Sequence, residues 1–260
     1  MGGPSTSQRL ERIVARAAEL ADLESANALV GWDQETFMPP KGVEGRANLS
    51  ATIAGLQHEK LTDPRLREDL EALCADGAGL GETDRGHVAE LKRLQDRAAK
   101  VPPDLVRAVA EAQSRGSSVW AAAKARKDFA AFAPTLEEIF RLKRQVADAV
   151  GFRKEPYEAL LDEFEPGADV EEVATTLHAV RDFLIPLVRE IAGASVRPDM
   201  KILAGPYDQE KQDRFGREIV AAMGFDLEAG RLDLSNHPFT SGIHHGDTRL
   251  TTRYKPDLSV

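Results

Sequence analysis

The chain has 260 residues and a formal net charge of −9, with 42% hydrophobic and 30% charged residues. This composition is typical of a soluble globular protein and argues against a disordered or membrane-embedded chain. Its 43 acidic residues outnumber its 34 basic residues, which argues against a nucleic-acid partner, because proteins that bind a phosphate backbone usually present a basic face. No apolar run reaches the length needed to span a membrane, so no membrane partner is expected.

The cellular location is suggested by the single cysteine. Cys74 cannot form a disulfide within the chain, and no Cys/His ligand spacing surrounds it. The first residues lack the apolar segment of a secretory signal. We therefore expect a reducing, cytoplasmic location.

Apolar residues recur at helical spacing through residues 1–225. The spacing of Leu10, Ile13 and Leu20 predicts a first helix of about twenty residues, and Pro39 and Pro40 must end any helix that precedes them. Four further helices are predicted at residues 43–61, after an Asp63-Pro64 start, from a Thr83 cap to Pro102, and from Asp104 to a corner at Pro134. Three more are predicted from Leu136 to Gly151, after an Asp169 cap, and from Glu210 to Met223 with Gly224 following. Pro186 is expected to kink the helix that Asp169 caps.

Two acidic segments admit a catalytic or a structural interpretation. Asp33 and Glu35 could form an acid/base pair, but residues two apart on a helix diverge. We favour a corner that is anchored by Trp32 and Phe37, with solvated acids between them. The acids of residues 157–167 likewise fit a solvated face better than a metal cluster.

The pattern changes at residue 226. Residues 231–234 alternate in polarity, and residues 248–254 are rich in β-branched and aromatic types, so both predict strands with a glycine-containing turn between them. We therefore predict a mainly α fold, helical over residues 1–225, with a small antiparallel β-hairpin or sheet in a groove-forming segment at residues 226–260.

Chemically active side chains are concentrated in this last segment. On a strand, Arg249, Thr251 and Arg253 would share one face, and paired arginines suit the capture of a carboxylate. The alternative is that Asp247 forms salt bridges with these arginines and merely pins the hairpin. The sequence does not decide between the two interpretations.

A metal site is also conceivable here. Three of the six histidines, His237, His244 and His245, lie close to Asp247 in the sequence. Adjacent histidines on an extended chain point to opposite faces, which weakens this interpretation.

Taken together, these segments resemble the carboxypeptidase Taq family of zinc metallocarboxypeptidases. The motifs that carry the resemblance are HPF at residues 237–239 and DxRxT at residues 247–251, which continues into Thr252-Arg253-Tyr254. Residues 31–40 and 160–167 support it. Each motif is modest alone, but this order and spacing are highly specific, and the resemblance covers nearly the whole chain.

The resemblance implies a mostly helical, zincin-like fold with a small sheet beside a deep groove, a homodimer, and the removal of C-terminal residues from peptides. In such enzymes zinc is held by the two histidines of an HExxH helix and a later glutamate, and the HExxH glutamate acts as general base. The two motifs would line the groove, so the expected substrate-binding residues are His237, Pro238, Phe239, Asp247, Arg249, Thr251 and Arg253.

The sequence departs from this pattern: it contains no HExxH motif, and the later glutamate ligand and later substrate-binding motifs of the family are missing too. We therefore expect neither a catalytic residue nor a metal ligand within this chain. Residues 1–260 are interpreted as the N-terminal portion of a larger domain, inactive alone and with apolar helix faces exposed. The rival hypothesis is a non-catalytic helical scaffold or interaction module from the same ancestor, and a third is a stand-alone hydrolase that uses the local histidines.

Overall fold

A computed structural model describes residues 3–75, 79–203 and 205–256. It confirms a mainly α fold with a small sheet near the C-terminus. The elements are α1 Thr6–Thr36, α2 Val43–Leu61, α3 Pro64–Ala75, α4 Glu82–Ala98, α5 Pro103–Arg126, α6 Phe129–Val150, α7 Pro156–Leu161, α8 Val170–Gly193, α9 Gln209–Ala222, β1 Gly230–Leu234, β2 Thr240–His244 and β3 Asp247–Thr252, with 3-10 turns at Pro40–Gly42 and Met200–Leu203.

Helix α1 is longer than predicted. It has 31 residues, begins with a capping box formed by Ser5 and Gln8, and continues through Trp32 to Thr36. The extra turns replace the predicted corner, and the helix ends before Pro39, as a proline pair requires. The longer helix places Trp32 on a buried face beside the C-terminal sheet.

Several predicted helix ends are confirmed. The side chain of Asp169 accepts hydrogen bonds from the backbone amides of residues 171 and 172 at the start of α8. Gly151 and Gly224 have φ angles of +87° and +90°, a region that glycine adopts without steric cost. Pro186 lies inside α8, at the position where the sequence predicts a kink.

Two predicted boundaries are wrong. The cap of α4 is Gly81, one residue before the helix, and not Thr83. Pro134 lies inside α6 and not at a corner, because Asp128 caps the helix by accepting a hydrogen bond from the amide of Ala131, and the helix therefore begins at Phe129.

The main apolar core lies where α1, α3 and α4 meet, while α2 packs along α5 and α5 along α6. Gly116 allows the close approach of α5 and α6, since a Cβ atom there would lie 2.8 Å from Cδ1 of Ile139. The core cluster consists of Ile13, Leu66, Leu70, Leu73, Leu80, Val88 and Leu91.

A buried carboxylate also joins α1 to α3. Asp69 is 4% exposed, and it accepts hydrogen bonds from Arg9 at 2.7 Å and from Arg12 at 2.6 and 2.7 Å. These bonds favour the charged form, so Arg12 first and then Arg9 hold the pKa of Asp69 below its ordinary value, against the opposing effect of burial.

The acids near the end of α7 were expected to form a solvated face, but they also form ion pairs. Asp162 lies 3.7 Å from Arg93 and 3.6 Å from Arg97, and Glu163 lies 3.6 Å from Lys143. These pairs tie the end of α7 to α4 and α6, so the acidic segment has a structural function in the fold.

The sheet is mixed and not purely antiparallel. Its order is β1-β3-β2, with β2 antiparallel to β3 and β1 parallel to β3. The sequence did not predict β2, which is joined to β3 by a turn at His245 and Gly246. The chain passes from β1 to β2 at the far edge of the sheet and then turns back as β3, which lies between them. This path makes β3 antiparallel to β2 and parallel to β1.

Helix α9 is attached to this sheet through polar contacts. The Tyr254 hydroxyl donates to Asp213 at 3.1 Å, and Arg217 donates to the carbonyl oxygen of Leu232 at 3.1 Å. Burial, together with the hydrogen bond to Asp213, raises the pKa of Tyr254 to about 12. The tyrosine would be protonated at neutral pH in any case, and the raised pKa extends its donating form into the alkaline range.

Helices α8 and α9 have no buried residue. Large apolar side chains along them are exposed, including Phe183 at 69%, Ile191 at 63% and Phe215 at 63%. This agrees with the expectation of exposed apolar helix faces.

Candidate functional site

A groove with a volume of about 450 Å³ opens between α1, α2, α5 and the segment that carries the HPF motif. This volume is within the usual range for small-ligand sites. Small and polar residues dominate the walls, with two aromatic rings. The lining residues are Asn27, Ala28, Gly31, Trp32, Gln34, Glu35, Ser50, Ala110, Gln113, Ser114, Ser117, Phe239 and Ser241.

Hydrogen bonds between α1 and α5 shape this groove. Gln34 donates to the carbonyl oxygen of Ser114 at 2.6 Å and accepts from its hydroxyl at 2.8 Å. Ser117 donates to Glu35, whereas Asp33 pairs with Arg46. The two acids diverge as predicted, but neither is simply solvated: Asp33 forms an ion pair, and Glu35 accepts a hydrogen bond from a hydroxyl.

Trp32 joins the groove to the DxRxT strand. It is 5% exposed, and its ring carries the guanidinium of Arg249 at 4.1 Å and that of Arg231 at 5.0 Å. Phe37 lies 5.5 Å away at an interplanar angle of 59°. One face of α1 therefore supports both the groove wall and the motif arginine.

Arg249 is held in a bidentate pair with Asp247. Its Nε and Nη2 atoms donate to the two carboxylate oxygens, each at 2.9 Å, which lowers the pKa of Asp247. The alternative in which Asp247 pins the motif arginine thus describes the geometry of Arg249. Within residues 3–75, 79–203 and 205–256, Nη1 of Arg249 takes part in no hydrogen bond, and the Arg249 side chain is 14% exposed.

The arginine beside Arg249 is Arg231 and not Arg253. Strand register pairs Arg231 with Arg249, and Arg231 forms its own bidentate pair with Asp233 at 2.6 and 2.8 Å. Arg253 is exposed and donates to the carbonyl oxygen of Asn236 at 3.0 Å. Strand alternation does not bring Arg249 and Arg253 to a common ligand, because each is directed to a different partner.

Thr251 locks the two motifs together. It is 9% exposed, and its hydroxyl accepts from the amide of Phe239 at 2.7 Å and from the hydroxyl of Ser235 at 2.9 Å. The hydroxyl also lies 3.0 Å from the carbonyl oxygen of Phe239, to which it donates. The threonine of DxRxT thus fixes the loop that places the HPF phenylalanine in the groove.

The HPF histidine lies at the rim. His237 is exposed and packs edge-on against Trp120, with ring centroids 6.2 Å apart, and Lys124 lies 4.4 Å from the centroid of the Trp120 ring. Pro238 is exposed, and Phe239 lines the groove. The structure therefore places His237 against α5 and Phe239 in the wall of the groove.

The sequence predicts that His244 and His245 point to opposite faces of an extended chain. In the structure they lie side by side. Their ring centroids are 3.7 Å apart, because β2 ends at His244 and the chain turns through His245 and Gly246. The amide of Gly246 donates to Nδ1 of His244 at 3.1 Å. In the part of the chain that the structure describes, no three His, Cys, Asp or Glu residues are grouped closely enough to hold a metal ion.

A sequence model described as carboxypeptidase Taq (M32) metallopeptidase matches residues 12–259. The chain belongs to this family. Thermostable carboxypeptidase 1 of Thermus thermophilus is 38% identical over 254 residues, which are 92% of this chain and 49% of the relative.

Solved structures agree. The structure named BsuCP has a TM-score of 0.91 at 27% identity and matches 95% of this chain and 50% of its own. A carboxypeptidase of Pyrococcus furiosus has a TM-score of 0.80 at 32% identity, over 96% of this chain and 50% of its own. The M32 chain described here spans about half the length of these relatives.

Several residues of the M32 groove were not identified from the sequence. Gln34 was noted only within a segment that was interpreted as a corner, and Glu35 was weighed as an acid/base partner of Asp33 but interpreted as solvated. Ser114 and Ser117 lie in a long helix. The one available signal was the i, i+3 spacing of the two serines, which places both on one helix face. Arg231 was assigned to a strand, but its partner across the sheet could not be known without the parallel register.

Proposed function

We propose that this chain forms one wall of the peptide-binding groove of a zinc-dependent carboxypeptidase that removes C-terminal residues from peptides. The observation that carries the proposal is that both motifs lead to one groove: Phe239 of HPF lines it, and Arg249 of DxRxT lies on Trp32, which also lines it. Membership of a metallopeptidase family supports the reaction class.

The motif residues have different functions in this proposal. Arg249 binds the terminal carboxylate through Nη1, while Asp247 and Thr251 fix the strand and the HPF loop. His237 and Phe239 contact the peptide chain. Pro238 and Arg253 are exposed at the rim of the same segment and contact the substrate from there.

The family implies a metal ion, and we propose that this ion is zinc. The residues that the structure describes do not fit such a site, since no group of three candidate ligands is formed among them. Zinc is therefore assigned to residues other than these. The chain as given is proposed to be inactive alone, because its sequence contains no HExxH motif.

The cellular setting is part of the proposal. A homodimer of the complete enzyme is inferred from the family resemblance. A reducing cytoplasm suits the exposed, unpaired Cys74. The described residues include no helix that is both long and apolar enough to cross a lipid bilayer.

Calorimetry with a capped tripeptide tests the groove assignment. N-acetyl-Ala-Ala-Nle with a free carboxylate, where Nle is norleucine, is expected to bind about tenfold more tightly than its C-terminal amide, since one charge-assisted interaction corresponds to about 1.4 kcal/mol. Arg249→Gln is expected to abolish this ratio, and Arg253→Gln, which changes an exposed rim arginine, to reduce it by less than a factor of about two. Equal binding of acid and amide by the unaltered chain contradicts the proposal.

A non-catalytic interaction module is the second candidate. The exposed apolar faces of α8 and α9 favour it, because large apolar patches commonly mark interaction surfaces. It predicts no preference between the peptide acid and the amide. The same titration therefore separates the two functions.

A further inference from the structure

Glu35 is the charged residue among the side chains that line the groove. The other polar lining groups are neutral amides and hydroxyls, and Ala28, Gly31 and Ala110 leave space beside them. Glu35 is partly buried and lines this space from α1, and its carboxylate accepts a hydrogen bond from Ser117, which lines the same groove. The groove therefore has an acidic wall.

No basic side chain of the described residues forms an ion pair with Glu35, whose hydrogen bond comes from Ser117. Other acids nearby are paired: Asp33 contacts Arg46, and Glu44 contacts Arg115 at 2.6 Å. The closest lysine beyond Ser117 on α5 is Lys124, about 10 Å further along the helix axis, and it lies over Trp120.

A partly buried carboxylate without a cation is unfavourable, because burial removes water that stabilised its charge. A ligand that brings a positive charge offsets this cost. The side-chain amide oxygens of Asn27, Gln34 and Gln113 can accept the remaining hydrogen bonds of an ammonium or guanidinium group. The space of about 450 Å³ accommodates a long, unbranched side chain.

We propose that Glu35 makes the groove selective for peptides with a lysine or arginine side chain at the position bound there. This inference rests on the proposed peptide-binding function and adds its substrate class. Glu35 contacts the cationic end of the side chain, and Ser117 holds the carboxylate toward the cavity. Trp32 and Phe239 pack against the aliphatic part.

The experiment compares four peptides by calorimetry: N-acetyl-Ala-Ala-Lys and N-acetyl-Ala-Ala-Nle, each as free acid and as amide. Norleucine keeps the four-carbon chain of lysine and lacks the ammonium group. The unaltered chain is expected to bind the lysine peptide about tenfold more tightly than the norleucine peptide. Glu35→Gln is expected to reduce this ratio to about one.

Asp33→Asn is the matched control, because it removes the same charge two residues away from an acid that is already paired with Arg46. It is expected to leave the ratio unchanged. Gln113→Lys, at an exposed lining position, is a second variant that leaves Glu35 intact and is expected to invert the preference toward norleucine. An equal lysine preference in the unaltered chain and in both Glu35→Gln and Gln113→Lys overturns the inference, as does the absence of any preference in the unaltered chain.

The four peptides separate this inference from the proposed function. Loss of the acid-over-amide ratio with a retained, Glu35-dependent lysine preference contradicts carboxypeptidase-type binding and leaves the acidic groove. The reverse pattern contradicts the acidic groove alone. Failure of all four peptides to bind contradicts both.

Discussion

At the scale of single residues, buried charge pairs fix the arrangement of the helices. Asp69 contacts Arg9 and Arg12 at distances of 2.6–2.7 Å across α1 and α3. Removing one member of such a pair leaves the other charges uncompensated. The pair therefore affects stability more than the many exposed ion pairs of the surface do.

Asp69→Asn is expected to lower the free energy of unfolding by about 2 kcal/mol, measured by urea denaturation at pH 7. Glu71→Gln, which removes an exposed partner of Arg67 one turn away on the same helix, is the control and is expected to cost less than about 0.5 kcal/mol. Equal effects of the two changes contradict the assignment.

The same residue has a pH signature. The pKa of Asp69 is lower in the folded protein, so its contribution is complete above the unfolded value and is lost as pH falls through the folded value. The free energy of unfolding is compared at pH 7 and below about pH 4. Its decrease between these two conditions is expected to be smaller in Asp69→Asn than in the unaltered chain. An identical loss in both proteins contradicts this prediction.

Sequence reasoning reached some of these residue-level features. It placed Asp247 and Arg249 in one motif and offered their salt bridge as one alternative, which the structure has. It could not pair Arg231 with Arg249 or place Trp32 under both, because those contacts join α1 to strands about two hundred residues later. Local patterns carry no information on such long-range packing.

At the scale of elements, the helix ends marked by Asp169, Gly151 and Gly224 were predictable, whereas the sheet pairing was not. The cap at Asp169 and the glycines at 151 and 224 each act through neighbouring backbone, which the sequence shows directly. The parallel pairing of β1 with β3 depends on where β2 is inserted. The sequence shows alternation within a strand and not the order of strands.

The β1–β3 pairing can be tested at Gly230. A Cβ atom there would lie 2.5 Å from the carbonyl oxygen of Thr248 and 2.4 Å from Cζ of Phe225, so Gly230→Ala must displace β1 from β3. We expect a loss of about 1–3 kcal/mol of stability and faster amide exchange at Thr248, whose amide donates to the carbonyl of Ala229.

The matched control is Gly242→Ala in β2, where a Cβ atom has no neighbour within 4 Å. Its amide exchange pattern is expected to stay the same, and its free energy of unfolding is expected to change by less than about 0.5 kcal/mol. If both alanine variants behave alike, the close approach of β1 and β3 is contradicted.

At the scale of the whole molecule, burial is uneven. The helices α1 to α7 contain the buried residues of the helical part, whereas α8 and α9 have none. Exposed apolar patches promote association in water. The protein is therefore expected to bind hydrophobic dyes and to self-associate at high concentration.

The double change Phe183→Ser and Ile191→Ser is expected to reduce dye binding and to reduce self-association, measured by analytical ultracentrifugation. The free energy of unfolding is expected to change by less than about 0.5 kcal/mol per residue. Leu142→Ser, at a residue that is 4% exposed, is the contrasting variant and is expected to cost about 3 kcal/mol. A large loss of stability in the double variant contradicts the exposure of α8.

The central claim is that peptides bind where α1, α5 and the HPF segment meet. Both tryptophans of the chain mark this place, since Trp32 lines the groove and Trp120 packs on His237. The most direct measurement is an NMR titration of the two indole N–H resonances with N-acetyl-Ala-Ala-Lys. Saturable shifts of both resonances are expected with one shared dissociation constant. Peptide binding that shifts neither resonance contradicts the account.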